Sequence, residues 1–180
     1  MRHLIGVIVL FAMVTLGAVQ CVAAEPLTDG IAAADAGDYA AALRLWQPLA
    51  ENGNADAESY LGRLYLNGWG VPKDYARAAA WYRKAAEQGN EAAENNLGFL
   101  CFHGLGVRQD YTEAVMWFRK AADQGALEAF VNLGDAYASG NGVPQDYALA
   151  ESWYRRAATS GYAPGQQALD ALQRKLGGAR

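Results

Sequence analysis

The sequence predicts an all-α fold, an α/α solenoid of helix–turn–helix units stacked in series. The first observation behind this is a period. Leu61-Gly62, Leu97-Gly98 and Leu133-Gly134 lie thirty-six residues apart, as do Trp81, Trp117 and Trp153, and Gly89, Gly125 and Gly161. Fourteen of the thirty-six positions are identical in all three copies, which marks a stacked array rather than one convergent core. The second is helical spacing within each period, apolar or small residues falling at Ala57, Leu61, Leu64 and Tyr65. The third is composition: 180 residues, 52% hydrophobic and 19% charged, enough apolar content for a packed core and too much for a disordered chain. The net charge of −4 argues against nucleic acid as a partner, since phosphate binding needs a basic face.

The amino terminus, residues 1–24, has the form of an export signal. Arg2 precedes an apolar run from Leu4 to Val19, and Val22-Ala23-Ala24 offers small residues for cleavage before Glu25. The run is shorter than the roughly 20 residues of a spanning helix, which disfavours a retained anchor. A lipid on Cys21 is disfavoured by Gln20 in front of it. Cleavage after Ala24 leaves Cys101 as the one thiol, so the exported chain is expected to hold together by packing without a disulfide.

Residues 25–53 read as amino-terminal capping helices. The stretch 38–53 matches the second helix of a unit, and Thr28 to Ala36 supplies a degenerate first helix. Pro48 is expected to kink or shorten the element. Three full units follow, residues 54–89, 90–125 and 126–161. In the first unit one helix is expected over 55–67, ending at Gly68, and a second over 75–88, ending at Gly89. Asp74 stands where the second helix needs an N-cap; Asp110 and Asp146 repeat it, and Asp110 with Glu113 has capping-box spacing. The second helix is expected to bury Ala78, Trp81, Tyr82 and Ala85. Gly62 leaves room for the close approach of a neighbouring helix backbone. Gly68-Trp69-Gly70-Val71 and its two copies follow a helix rather than a strand, so they are inter-helix turns and not phosphate loops. Residues 162–180 form a capping helix with a frayed basic tail; Leu169 keeps the leucine register and Asp170 replaces the glycine.

The string Leu-Gly-x-x-Tyr-x-x-Gly-x-Gly-Val-x-x-Asp-Tyr-x-x-Ala-x-x-Trp-Tyr-x-x-Ala-Ala-x-x-Gly resembles the Sel1-like repeat, a relative of the tetratricopeptide (TPR) repeat, over residues 54–161. The resemblance implies a right-handed superhelix with the first helices lining its concave side. It implies an adaptor for proteins or peptides, in bacteria often at the cell envelope. Cys101 departs from Tyr65 and Tyr137, and Phe118 from Tyr82 and Tyr154.

Invariant positions are accounted for by packing, so recognition is expected at outward-facing positions that vary between copies. These are Ser59, Arg63, Leu66 and Asn67 in the first copy and Asn95, Phe99, Phe102 and His103 in the second. The third has Val131, Asp135, Ala138 and Ser139. By resemblance to tetratricopeptide arrays they line the inner groove. Phe99 and Phe102, flanked by Arg63 and Asp135, are either a hot spot for a peptide or partner helix or packing residues between first helices. Cys101 is read as a small buried hydrophobe, and His103 as an exposed groove residue with no second ligand to make a zinc site. The tyrosines and tryptophans keep helical register, which makes them core rather than sugar platforms.

No nucleophile–base pair, phosphate loop or metal helix is present in the sequence, so no catalytic, cofactor or metal residue is assigned. The expectation is an exported, non-catalytic scaffold, periplasmic or secreted and monomeric, with a protein or peptide partner and no membrane contact after cleavage. The alternative is a cell-wall or β-lactam-associated hydrolase, or a regulator of a murein enzyme.

Overall fold

The computed structural model describes residues 25–177; the expected export signal at 1–24 and the last three residues lie outside them. Among the described residues there are nine α-helices and no strand. The helices pair as hairpins: α1 (Pro26–Asp35) with α2 (Tyr39–Glu51), α3 (Ala55–Asn67) with α4 (Tyr75–Glu87), and α5 (Glu91–His103) with α6 (Tyr111–Gln124). Then come α7 (Leu127–Ser139) with α8 (Tyr147–Thr159), and a closing α9 (Ala163–Gly177). Each helix packs on the next, and α3 also touches α5, α5 touches α7 and α7 touches α9. First helices of successive hairpins therefore lie side by side, the arrangement of a solenoid.

The ends of the helices are specified locally. The carboxylates of Asp74 and Asp110 accept the amides of Arg77 and Glu113, each at 2.9 Å, and Asp146 accepts those of Ala148 and Leu149. Asn54 and Asn90 cap α3 and α5 in the same way, while Ala126 gives α7 no side-chain cap. The glycines that stop the first helices open the loop, and the next glycine closes it on the preceding repeat. Gly106, at φ 69°, lies against the Tyr75 carbonyl and the Ala76 nitrogen at the start of α4, with no space for a Cβ. Each loop thus locks one hairpin onto the one before it.

Four corrections to the sequence reading follow. The glycine notch in each first helix is filled by an aromatic ring of its own hairpin, not by a neighbouring backbone: a Cβ on Gly62 would meet the Tyr82 ring at 2.7 Å, and one on Gly98 the Phe118 ring at 2.7 Å. Gly30 against Trp46 and Gly134 against Tyr154 repeat the contact, so the motif runs through all four hairpins. Trp81 and Trp153 are half-buried, and Trp117 is the buried one, with 4% of its surface exposed. The half-buried indole of Trp81 is covered from outside by Lys84, whose ammonium sits 4.1 Å from the ring. Pro48 does not shorten α2, which runs its full thirteen residues; so near the C-terminal end the proline deprives only one carbonyl of its donor. Glu113 leaves the capping box open, because its carboxylate turns to Arg83 at 2.8 Å and to the Trp117 indole at 3.3 Å, while the Asp110 amide bonds the Cys101 carbonyl.

Polar side chains tie the two helices of a unit, and one unit to the next, at one edge. Glu58 accepts from Gln88 at 2.7 Å and Glu94 from Gln124 at 2.8 Å; both carboxylates belong to buried residues, and desolvation raises their pKa values against the pull of Lys84 and Lys120. Gln124 also reaches the Gly89 carbonyl and Asn90 the Asp56 carboxylate, bridging one repeat to the next. In the third unit Phe130 and Ser160 replace the pair, and Phe130 instead stacks with Trp153 under the Arg156 guanidinium.

Candidate functional site

The residue after each notch glycine and the ring that fills the notch change together from hairpin to hairpin. In the third unit the Tyr154 hydroxyl donates to Asp135 at 2.6 Å. In the first the Tyr82 hydroxyl is fully buried with no partner, and Arg63 stands close enough to oppose part of the rise that burial imposes on its pKa. In the middle unit both groups are apolar: Phe118 carries no hydroxyl, and Phe99 stands where the others have charge. Burial raises the pKa of Asp135, with the Tyr154 hydrogen bond acting against it, and Tyr154 is raised by desolvation and by that same carboxylate.

This exchange creates an apolar pocket. Phe118 is buried, and Phe102 packs half-buried on it and edge-on to Tyr111. Phe99 is 39% exposed, with its ring 4.4 Å from the His103 imidazole. Phe99, Phe102, His103 and Phe118 line a cavity of about 80 Å³ together with Asn132 and Asp135. The pocket adjoins two depressions. One, of about 280 Å³, brings Leu66, Asn95, Phe99 and Val131 together with Glu128, Asn132 and Tyr162. The other, of about 380 Å³, is lined by Phe102, Asp135, Ala138, Ser139, Asn141 and Lys175. Toward the amino terminus, depressions of about 220 and 310 Å³ lie between α5 and α7 and between α3 and α5. Adjacent depressions share lining residues, so the five form one continuous groove along the first-helix face.

Most of the residues expected to bind a partner therefore lie on this groove, from three different units. Arg63 and Asn67 do not line it. The Arg63 guanidinium sits over the Tyr60 and Trp69 rings, at 5.6 and 5.9 Å, and Asn67 bonds back to the Arg63 carbonyl. Ser59 is not outward-facing as expected. It is 7% exposed because α5 lies alongside α3, and it lines the floor of the amino-terminal depression. Sequence reasoning missed Asn96, Glu128, Asn132, Tyr162 and Lys175. Asn96 and Asn132 were findable, since their position is Tyr60 in the first copy and so varies between units. The amide of Asn132 donates to Asn95 at 2.8 Å, which joins two first helices across the groove floor.

Among the described residues no group of three or more His, Cys, Asp or Glu side chains is placed to hold a metal ion. Cys101 is a free, fully buried thiol whose pKa is pushed up to about 11, by desolvation first and then by Glu113. No helix of the described residues is long and apolar enough to cross a membrane.

Comparison with known proteins agrees with this architecture. The Sel1 repeat model matches residues 29–54, 55–90, 91–125 and 128–162. A protective antigen present in uropathogenic Escherichia coli strains and displaying an SLR fold is 38% identical with a TM-score of 0.76, over 83% of this chain and 33% of that one. A Sel1 repeat protein from Oxalobacter formigenes is 36% identical with a TM-score of 0.76, over 84% of this chain and 61% of that one. The chain thus spans about a third and three-fifths of these two proteins. No curated protein matches it. Four consecutive family matches over most of the length, on a stack of helical hairpins, place the chain in the Sel1 repeat family.

Proposed function

We propose that this protein is an exported, non-catalytic scaffold of the bacterial cell envelope that holds a protein or peptide partner in its first-helix groove. Sel1 repeats generally mediate protein–protein interactions. The observation that carries the reading is the groove itself, continuous over three units and centred on the middle unit's pocket, which Phe99 and Phe118 line together. Half-exposed aromatic rings beside a pocket, rimmed by amides and carboxylates, have the make-up of a binding hot spot. The export part rests on the charged start, apolar run and small-residue exit of residues 1–24.

The test is capture from a periplasmic extract with the wild type, Phe99→Ala/Phe102→Ala and the off-groove control Met116→Ala. Met116 is 45% exposed on α6 and lines none of the depressions. A partner held by the wild type and the control but lost from the double variant is the expected result. Equal capture by all three contradicts the groove, and turnover of a β-lactam or murein fragment by the purified protein contradicts the non-catalytic role. Intact mass of the purified envelope form should correspond to a chain starting at Glu25; a mass that includes residues 1–24 contradicts export by cleavage.

A further inference from the structure

The groove has a charge pattern as well as an apolar centre. Asp56, Glu91, Glu128 and Asp135 between them line all five of its depressions and reach from one end to the other. None of the four takes part in a salt bridge among the described residues, whereas Asp74, Asp110, Glu113 and Glu151 elsewhere on the surface each have an arginine. Two of them are held ready by neutral donors, Asp56 by the Asn90 amide and Asp135 by the Tyr154 hydroxyl. In the amino-terminal depression, between Asp56 and Glu91, the nearly buried Ser59 makes no side-chain hydrogen bond among the described residues. Asp56, Glu91 and Glu128 lie in the first turns of α3, α5 and α7, Asp135 lines the apolar pocket, and all four are left without a cation of their own chain, open to a partner's positive charge.

From this we infer that the partner, under the groove reading above, is an extended basic peptide segment with one aliphatic anchor residue. The anchor enters the pocket of Phe99, Phe102 and Phe118. A lysine or arginine next to it meets Asp135, and further cations run along Glu128, Glu91 and Asp56. The side-chain amides of Asn95, Asn96 and Asn132 stand between these points, where they can meet the peptide's backbone groups. First helices packed about 8–10 Å apart make the step from Asp56 to Glu128 about 20 Å, and the rise along α7 to Asp135 adds about 10 Å, so about nine extended residues span the strip. Lys175, on the capping helix α9, lies in the last depression with Asp135 and marks the end of the acidic strip.

The probe is a fluorescein-labelled peptide of about ten residues, lysine-rich with one central leucine, read by fluorescence anisotropy. It is compared with a glutamate-for-lysine version and a leucine-to-alanine version. The basic leucine peptide should bind on the order of tenfold more tightly than either, and the preference over the acidic peptide should shrink as salt rises. Asp135→Asn with Glu128→Gln should reduce the charge preference several-fold and leave the leucine preference, and Phe99→Ala/Phe102→Ala should do the reverse. Melting curves confirm that each variant is folded, and the carboxamide variants, at surface positions, keep the test decisive should the phenylalanine variant melt early. Equal or tighter binding of the acidic peptide overturns the inference, as does a charge preference untouched by the carboxamides. So does self-association in sedimentation that Phe99→Ala/Phe102→Ala abolishes, which would make a second copy the occupant. If capture from extract depends on Phe99 and Phe102 while peptide charge is immaterial, this inference alone fails; if neither depends on the groove, the groove reading fails with it.

Discussion

The middle hairpin and its two neighbours share a backbone plan and differ at its inner face. All three place a glycine of the first helix against a ring of the second, and all three close their loops on the hairpin before. Only in the middle unit is that ring without a hydroxyl and the next residue without charge. The lesson is that the stack and the groove are written in separate positions. Invariant residues fix how hairpins lean on one another, and a coupled pair of variable residues sets what the groove offers. A buried hydroxyl has to be satisfied or removed: the third unit satisfies it with Asp135, the second removes it, and the first leaves it alone.

The largest test of this division concerns the stack. Trp117→Ala should cost about 3–5 kcal/mol, the loss expected of a buried aromatic, and Trp81→Ala distinctly less because that indole is half-buried. Equal costs in chemical denaturation would show that burial does not separate the middle unit from its neighbour. Next comes the coupled pair. Phe118→Tyr brings in a hydroxyl to which Phe99, unlike Asp135 in the third unit, offers no acceptor, and should cost about 1–3 kcal/mol. Adding Phe99→Asp, which rebuilds the third unit's pair, should return part of that loss; a double-mutant cycle with no coupling would refute the pairing.

How much of this the sequence disclosed follows from what repetition can and cannot report. Helix ends and caps were legible because Asp74, Gly68 and Gly89 act within a few residues of themselves and recur in register. The filling of the Gly62 notch was not, since a missing side chain announces space without naming its occupant. Trp81 and Trp117 are the same letter in the same register, and only the neighbouring unit decides which is covered. Most of the groove was legible as a stripe of variable positions, Leu66, Asn95, Phe99 and Val131. Glu128, Tyr162 and Lys175 escaped because they reach the groove from the start of α7 and from the capping segment, outside that stripe.

Two smaller effects sharpen the comparison further. Tyr82→Phe should be neutral or stabilising by up to about 1 kcal/mol, as it removes a buried hydroxyl that has no partner, while Tyr154→Phe should cost about 1 kcal/mol through the lost bond to Asp135. The same sign for both in thermal melts would break the contrast. The smallest effect is a pH dependence at the polar edge. Desolvation holds the Glu94 carboxyl above its unfolded value, so the stability it contributes is complete below the unfolded pKa and is lost as pH rises through the folded one. Glu94→Gln should therefore match the wild type near pH 4 and gain on it toward neutrality, and a constant difference across that range would contradict the raised pKa.

The most direct measurement of the central claim, that variable residues centred on the middle hairpin and continued on the third form the recognition surface of an otherwise uniform stack, is amide and methyl chemical-shift mapping of the captured partner on the labelled protein. Perturbations centred on Phe99, Phe102, Val131 and Asp135, with the outer face around Met116 unmoved, are the predicted result. A footprint on the second helices, leaving those four residues unshifted, would contradict it.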